Sequence, residues 1–134
     1  MLSVLDYAVN VLKVKHIIVV GHYGCGGIKA AMNNDSIGII DNWIRHIKNV
    51  YRLHKNLLDA IPNETARFNA FVEVNVKEQV FDLAKTSIVQ AAWKSGQDVT
   101  LHGWAYGLNS GIVTDLDVNL TSEKNLDEVY QLKF

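Results

Sequence analysis

Residues 16–32, HIIVVGHYGCGGIKAAM, decide the fold of this chain. The apolar, β-branched run from His16 to Gly21 predicts a β-strand, and its profile is typical of a strand covered on both faces in a parallel sheet. Gly26 and Gly27 then lead into IKAAM, which predicts a short helix. Ligands bind outside the carboxyl ends of the strands in a parallel α/β sheet, so the turn between strand and helix is the expected place for a binding site.

The rest of the chain continues this alternation of helices and strands. Apolar residues at helical spacing predict three further helices, two of them long, and strand-like runs bounded by glycines predict two more strands. Pro62 ends the first long helix, and Asn63 and Gly96 are the predicted caps of the second. The predicted helices cover residues 2–14, 37–61 and 63–96, the strands lie within 98–107 and 111–120, and a closing helix covers 123–132. These elements predict one α/β domain over residues 1–134, with a parallel β-sheet core flanked by α-helices.

Composition narrows the function classes. The 134 residues contain 13 Lys and Arg against 14 Asp and Glu, without a run of one sign, so neither a nucleic-acid surface nor a polybasic membrane patch is indicated. The single cysteine forms no internal disulfide and no secretion signal is visible, which predicts a reducing, cytoplasmic location. The longest apolar stretch, Ile17 to Val20, is far shorter than the roughly 20 residues of a membrane span.

His22 and Cys25 are the candidate metal ligands. Imidazole and thiolate are donors that zinc prefers, and an H-x-x-C spacing at a turn lets both converge on one ion. The surrounding glycines allow close backbone approach and leave amide groups available to a small anion. Two interpretations without metal stay open: a buried cysteine acting as a small apolar residue, and a phosphate or cofactor loop, although GHYGCGG lacks the G-x-G-x-x-G register and the P-loop lysine and serine.

The order of motifs adds a family resemblance. HIIVVGHYGCGGIKAAM, followed by DNWIRHI, NVKEQV, AAWKSGQDVTLHGWAYG and LDV, strongly resembles the β-class carbonic anhydrases of bacteria, from Leu2 to about Asp117. The resemblance implies a zinc-dependent lyase that interconverts carbon dioxide and bicarbonate. It also implies that His22 and Cys25 are two of three permanent zinc ligands. Homo-oligomers, dimers or tetramers, with the active site at a dimer interface, are a further implication.

One part of the family pattern has no counterpart here. Members of the family carry a C-x-D-x-R segment ahead of H-x-x-C, but Cys25 is the sole cysteine of this chain and no C-x-D-x-R occurs. The chain therefore looks like the C-terminal portion of a β-carbonic anhydrase, and we expect it to be impaired or inactive by itself. Loss of an inner strand would also leave strand faces uncovered and promote self-association.

The resemblance implies roles for three further residues. Gly26 would lend its backbone amide to a substrate oxygen as the catalytic contact, and Tyr23 would form a variable wall of the cleft. Tyr106 takes the tyrosine position of an inhibitory bicarbonate site, whose tryptophan and arginine belong to the segment not found here. An alternative for Tyr106 is a ring buried near the sheet end with its hydroxyl satisfied locally. His102 is predicted to be a core histidine with its hydrogen bonds satisfied.

Two other functions stay open. A non-catalytic fold relic or assembly module would keep the sheet and interface without metal, and a metal assay distinguishes it from the enzyme. An α/β domain could also bind phosphate or bicarbonate at the glycine-flanked turn without zinc. Its binding would be unaffected by a chelator.

Overall fold

The strand that opens HIIVVGHYGCGG is present as β1 (His16–His22) in the computed structural model, which describes residues 1–33 and 36–134. Among these residues the sheet has three strands in the order β1–β2–β3, accompanied by helices, so the predicted α/β class is confirmed. The remaining elements are α1 (Leu2–Asp6), α2 (Gly26–Met32), α3 (Asp41–Leu53), α4 (Lys55–Asp59), α5 (Glu64–Ala84), α6 (Ser87–Lys94), β2 (Thr100–Tyr106) and β3 (Val113–Leu120).

Strands β1 and β2 run parallel, as the sequence predicts. The Thr100 amide donates to the Lys15 carbonyl at 2.8 Å, and the Tyr23 amide donates to the Tyr106 carbonyl at 3.0 Å, so the paired residue numbers rise together. Parallel pairing aligns the carboxyl ends of the two strands. The turn after β1 and the end of β2 therefore lie at the same edge of the sheet.

Strand β3 differs from a purely parallel sheet because it pairs antiparallel to β2. The loop between them spans only residues 107–112, and the Gly107 amide donates to the Ile112 carbonyl at 2.9 Å. Parallel neighbours need a crossover of a dozen residues or more, so this loop permits only a hairpin.

The expectation that β1 is covered on both faces is wrong for the described residues. Ile18 is 41% exposed and Val20 is 54% exposed, whereas Ile17 and Val19 on the opposite face are half-buried. Strand β1 is an edge strand of the three-stranded sheet, and one of its faces meets solvent. An uninterrupted apolar run shows that both faces of a strand could be buried. It does not show whether another element covers each face.

The helices are shorter than the sequence pattern predicts. Helix α1 passes into one π-helical turn at Tyr7–Val11, and His54 interrupts the predicted 37–61 helix between α3 and α4. The predicted 63–96 helix has the Asn63 cap, whose Oδ1 accepts from the Ala66 amide at 2.8 Å. It breaks after α5 because Thr86 is extended and caps α6 instead.

The predicted closing helix over 123–132 is wrong. Two short 3-10 turns, Glu123–Asn125 and Glu128–Tyr130, occupy that region. The Asn125 side chain accepts from the Thr121 and Ser122 amides, both at 3.1 Å. Such bonds from a side chain to nearby backbone compete with an α-helix.

The chain consists of two compact units. The first comprises Met1–Val19, Gln79–Gly103 and Asp117–Phe134, and the second comprises Val20–Glu78 and Trp104–Leu116. In the second unit α2 packs against α3. The core cluster of that unit consists of Ile28, Ala31, Ile44, Ile47, Val50, Leu58, Phe71 and Val72.

Gln90 ties the C-terminal segment to α6 within the first unit. Its side chain is only 1% exposed. The Nε2 group donates to the Lys85 carbonyl at 3.1 Å and the Tyr130 carbonyl at 3.0 Å, and Oε1 accepts from the Leu132 amide at 2.8 Å. A buried amide with its partners satisfied holds a segment that has little regular structure of its own.

Gly21 near the end of β1 allows α5 to approach closely. A Cβ at this position would lie 2.4 Å from Cγ2 of Val76, a buried residue with a stiff χ1 angle. Gly21→Ala is therefore expected to lower the free energy of unfolding by about 1–3 kcal/mol through overpacking.

Urea denaturation followed by circular dichroism measures the change, with Gly26→Ala as the matched control. A Cβ at Gly26 has no atom within 4 Å, so that variant is expected to be neutral or stabilised by about 0.4–1 kcal/mol. Equal stability of the two variants would show that the contact with Val76 is not limiting.

Candidate metal centre

The H-x-x-C motif lies where the sequence places it, at the turn from β1 to α2. His22 is the last residue of β1, and Cys25 is the N-cap residue of α2. Between them Gly24 has φ +75°, the left-handed region that favours glycine. The turn therefore occupies Tyr23 and Gly24 and keeps His22 and Cys25 in one short stretch.

His22 is exposed, and its ring is fixed by its neighbour. The Nδ1 atom lies 3.0 Å from the Tyr23 carbonyl oxygen. A carbonyl accepts only, so Nδ1 is the donor, and in the neutral ring the lone pair is then on Nε2. Neutral imidazole with one nitrogen bonded to a carbonyl is the usual arrangement of a metal-binding histidine.

Cys25 contributes a free, half-buried thiol next to the core cluster of the second unit. Its backbone is extended, with φ −64° and ψ 120°, and its carbonyl accepts from the Lys29 amide at 3.0 Å, in the first turn of α2. A Cβ placed on Gly27 would lie 3.7 Å from the Cys25 Sγ, so the thiol packs close to the helix start.

Tyr23 is more than a wall of the cleft. Its hydroxyl donates to Glu73 Oε1 at 2.7 Å. Burial, followed by the hydrogen bond to Glu73 and the charge of that residue, raises the pKa of the Tyr23 phenol above its ordinary value. Tyr23 is thus bonded through its hydroxyl, its amide and its carbonyl.

Gly26 and Tyr106 lie near the same turn. Gly26 is the first residue of α2, where backbone amides have no partner within the helix. Tyr106 is the last residue of β2, and its carbonyl accepts the Tyr23 amide. Its hydroxyl lies 4.0 Å from the point where a Cβ on Gly111 would be, and its side chain is half-buried.

His102 has its hydrogen bonds satisfied, as predicted, although it is half-buried on β2. Its Nε2 lies 3.0 Å from Nδ1 of His16, and its Nδ1 lies 2.6 Å from Oδ1 of Asn119. Of the other histidines, His54 pairs with Glu78 at 2.8 Å, whereas His46 is exposed on α3.

The donor chemistry at the turn fits zinc, but the number of donors is incomplete. An imidazole nitrogen and a thiolate are two of the four ligands of a tetrahedral zinc ion. Within residues 1–33 and 36–134, no group of three or more His, Cys, Asp and Glu side chains is arranged to hold a metal ion. The described chain can therefore offer part of a zinc site.

A cavity of about 480 Å³ opens beside the turn within the second unit. Its wall is more apolar than polar, and none of the residues that line it is charged. Its lining residues are Tyr23, Gly24, Thr65, Phe68, Asn69 and residues 107–110.

The described part of the chain contains no helix with the length and apolar character of a membrane span.

Glu73 is the residue near the site that the sequence pattern did not predict. It is a lone acid within the apolar run FVEVNV of α5, between the buried residues Phe71 and Val76. An isolated charge in such a run is itself a signal that a partner is present. The pattern could not identify Tyr23 as that partner, because 50 residues separate the two.

Comparison with known proteins identifies the family of this chain. The carbonic anhydrase family profile matches residues 1–113. A carbonic anhydrase of Emericella nidulans is 42% identical over 132 residues, which cover 98% of this chain and 58% of the relative. A carbonic anhydrase of Pseudomonas aeruginosa is 33% identical over 84% of this chain and 51% of the relative.

Solved structures are similar as well. The Coccomyxa β-carbonic anhydrase in complex with acetazolamide gives a TM-score of 0.83 at 35% identity, covering 92% of this chain and 56% of that chain. One of two tetrameric β-carbonic anhydrases of Sordaria macrospora gives 0.80 at 31% identity, covering 90% of this chain and 61% of that chain. The chain spans little more than half the length of these relatives, and it belongs to the β-carbonic anhydrase family.

Proposed function

We propose that this chain contributes the histidine and cysteine part of the zinc site of a β-carbonic anhydrase, which interconverts carbon dioxide and bicarbonate. The observation that carries the proposal is the hydrogen bond between His22 Nδ1 and the Tyr23 carbonyl. It leaves Nε2 as the nitrogen with a lone pair, three residues before a free thiol. Membership of the family supports the same interpretation.

In this proposal His22 Nε2 and Cys25 Sγ hold the metal. Zinc, when bound, supplies a Lewis acid that activates water near neutral pH. The Gly26 amide donates to a substrate oxygen, which stabilises the charge that develops there. The remaining protein ligand and the Asp–Arg pair would come from a C-x-D-x-R segment, which the 134-residue sequence does not contain.

Tyr106 is proposed to contact bicarbonate at the inhibitory site. The backbone bond between the Tyr106 carbonyl and the Tyr23 amide supports this, because it fixes the end of β2 beside the metal-binding turn. The alternative role, a ring packed at the sheet end, predicts that Tyr106→Phe leaves bicarbonate inhibition unchanged in the protein joined to a C-x-D-x-R segment, which is the form expected to be active.

The proposed state is an oligomer in the cytoplasm. The Sordaria macrospora structures are described as tetrameric. Ile18 and Val20 expose apolar surface along β1, and such surface favours association. The single cysteine supports a reducing compartment.

A non-catalytic assembly module is the second candidate. It is favoured by the lack of a group of three metal-binding side chains in the part of the chain that the structure describes. Such a module would keep the sheet and its association surface without needing zinc. A zinc-binding measurement therefore separates the two candidates.

Zinc binding by the 134-residue chain is expected to be weak and to depend on His22. His22→Ala removes one of two donors and should abolish binding, measured by competition with a chromophoric chelator and by elemental analysis after dialysis. Binding should also weaken as the pH falls, because protons compete with the metal for the imidazole and the thiolate.

His46→Ala is the matched control, since His46 is also exposed but lies on α3. Binding should be unchanged in this variant. Equal loss in both variants would indicate nonspecific surface coordination. If zinc binding is unchanged in His22→Ala, the proposed metal site is wrong. If the chain binds bicarbonate or phosphate equally well with and without a chelator, the metal-free anion-binding domain is supported instead.

A further inference from the structure

The carboxylate of Glu73 is placed where a charge is costly. Glu73 is half-buried on α5, and the two residues before it, Phe71 and Val72, are almost completely buried. A partly buried carboxylate needs hydrogen bonds to offset its lost hydration. The Tyr23 hydroxyl supplies one at 2.7 Å, and hydrogen bonds to ionised acceptors are stronger than neutral ones.

Tyr23 anchors the metal-binding turn to Glu73 on α5. Its hydroxyl is held by Glu73, and its amide is held by the Tyr106 carbonyl at 3.0 Å. The peptide that follows carries the carbonyl oxygen that accepts from Nδ1 of His22. Fixing the Tyr23 side chain therefore fixes the direction of the group that orients the His22 ring.

The turn needs such an anchor because of its glycines. Gly24 follows Tyr23 directly, and a Cβ at either Gly24 or Gly26 would have no atom within 4 Å. Glycine has the largest backbone freedom of any residue, so a turn of this composition is not rigid by itself. A bond from α5 to the residue between His22 and Gly24 restricts the turn at its centre.

We propose that Glu73 and Tyr23 are positioning residues for the metal-binding turn. The bond between them fixes the Tyr23 carbonyl, which holds His22 as the tautomer protonated on Nδ1 and presents Nε2 to the metal. The inference rests on the proposed function in one respect, that His22 is a ligand. The tautomer of His22 is a property of the metal-free chain and can be measured without it.

Three variants test the proposal in the 134-residue chain. Tyr23→Phe removes the hydroxyl, Glu73→Ala removes the acceptor, and Glu73→Gln keeps an acceptor oxygen of nearly the same shape. Long-range 15N correlation spectra report the His22 tautomer in the absence of metal. Chelator competition with zinc alone reports affinity, and circular dichroism melts report folding.

Tyr23→Phe and Glu73→Ala are expected to give His22 as a mixture of tautomers and to weaken zinc binding about tenfold, the usual effect of removing a group that orients a ligand. Glu73→Gln should restore the single tautomer and most of the affinity. A purely structural role would instead lower the melting temperature in Tyr23→Phe and Glu73→Ala without changing the tautomer.

The positioning role is overturned if folded Tyr23→Phe keeps one tautomer and the original affinity, or if Glu73→Gln behaves like Glu73→Ala. If Glu73→Ala does not fold, Tyr23→Phe decides, because it removes a single oxygen atom. Failure of the proposed function has a different signature: zinc binding would persist in His22→Ala, whatever the Tyr23 and Glu73 variants do to the tautomer.

Discussion

The 134-residue chain, purified alone and supplied with zinc, is expected to hydrate carbon dioxide no faster than buffer. Catalytic zinc sites use three protein ligands and keep one open position for water or substrate. In the proposed site His22 and Cys25 would provide two, and the described residues contain no group of three side chains that could hold a metal. An ion held by two protein ligands is bound weakly and in a poorly fixed geometry, so activation of water in the right place fails.

Stopped-flow hydration assays with a pH indicator measure this rate. The positive control is the same chain joined to a segment with C-x-D-x-R from a relative. The joined protein is expected to bind one zinc per chain and to accelerate hydration by roughly 10⁶-fold, the lower range for enzymes. Cys25→Ser in the joined protein is the control and should return the rate to background. A chelator-sensitive rate well above background in the 134-residue chain would mean that other residues complete the site.

Local sequence signals predicted the turn between β1 and α2 well. The β-branched run ending at Gly21 and the glycines at 26 and 27 determine a strand, a turn and a helix within a few residues, and β1 and α2 are both present. The positions of His22 and Cys25 at this junction follow from the same short stretch. Their roles as ligands stay a prediction until zinc binding is measured.

Predictions that depended on distant or competing interactions were less accurate. The break at Thr86 was not predicted because apolar residues keep a helical period on both sides of it. The closing helix was wrong because Asn125 and Asp127 bond to nearby amides and compete with helical bonds. The antiparallel direction of β3 could have been predicted from its short loop, whereas the exposure of Ile18 depends on what lies over the strand.

The hydrogen bond between Tyr23 and Glu73 could not be predicted from local sequence patterns. Each residue has an ordinary local pattern: an aromatic residue in a glycine-rich turn, and an acid on a helix. Only the packing of α5 near β1, which the glycine at position 21 permits, brings the two side chains together. The anchoring of the turn is therefore a product of tertiary structure, although every residue in it is visible in the sequence.

Leu58→Ala is expected to lower the free energy of unfolding more than Gly21→Ala does. Leu58 in α4 is 0% exposed and belongs to the core cluster of the second unit. Truncation to alanine removes the transfer free energy of three carbon atoms and leaves a cavity that the neighbours fill only in part. The expected loss is about 2–5 kcal/mol, a large part of the roughly 5–15 kcal/mol that stabilises an ordinary domain.

The adjacent residue, Leu57, provides a matched control because the same substitution at the neighbouring position of α4 changes an exposed side chain. Leu57 is 54% exposed, so Leu57→Ala should change the free energy of unfolding by no more than about 0.5 kcal/mol. Urea denaturation of both variants at one protein concentration, with an unchanged m-value, gives the difference directly. Equal losses for the two variants would mean that α4 does not pack as described, because the change in helix propensity is identical in both and only burial distinguishes them.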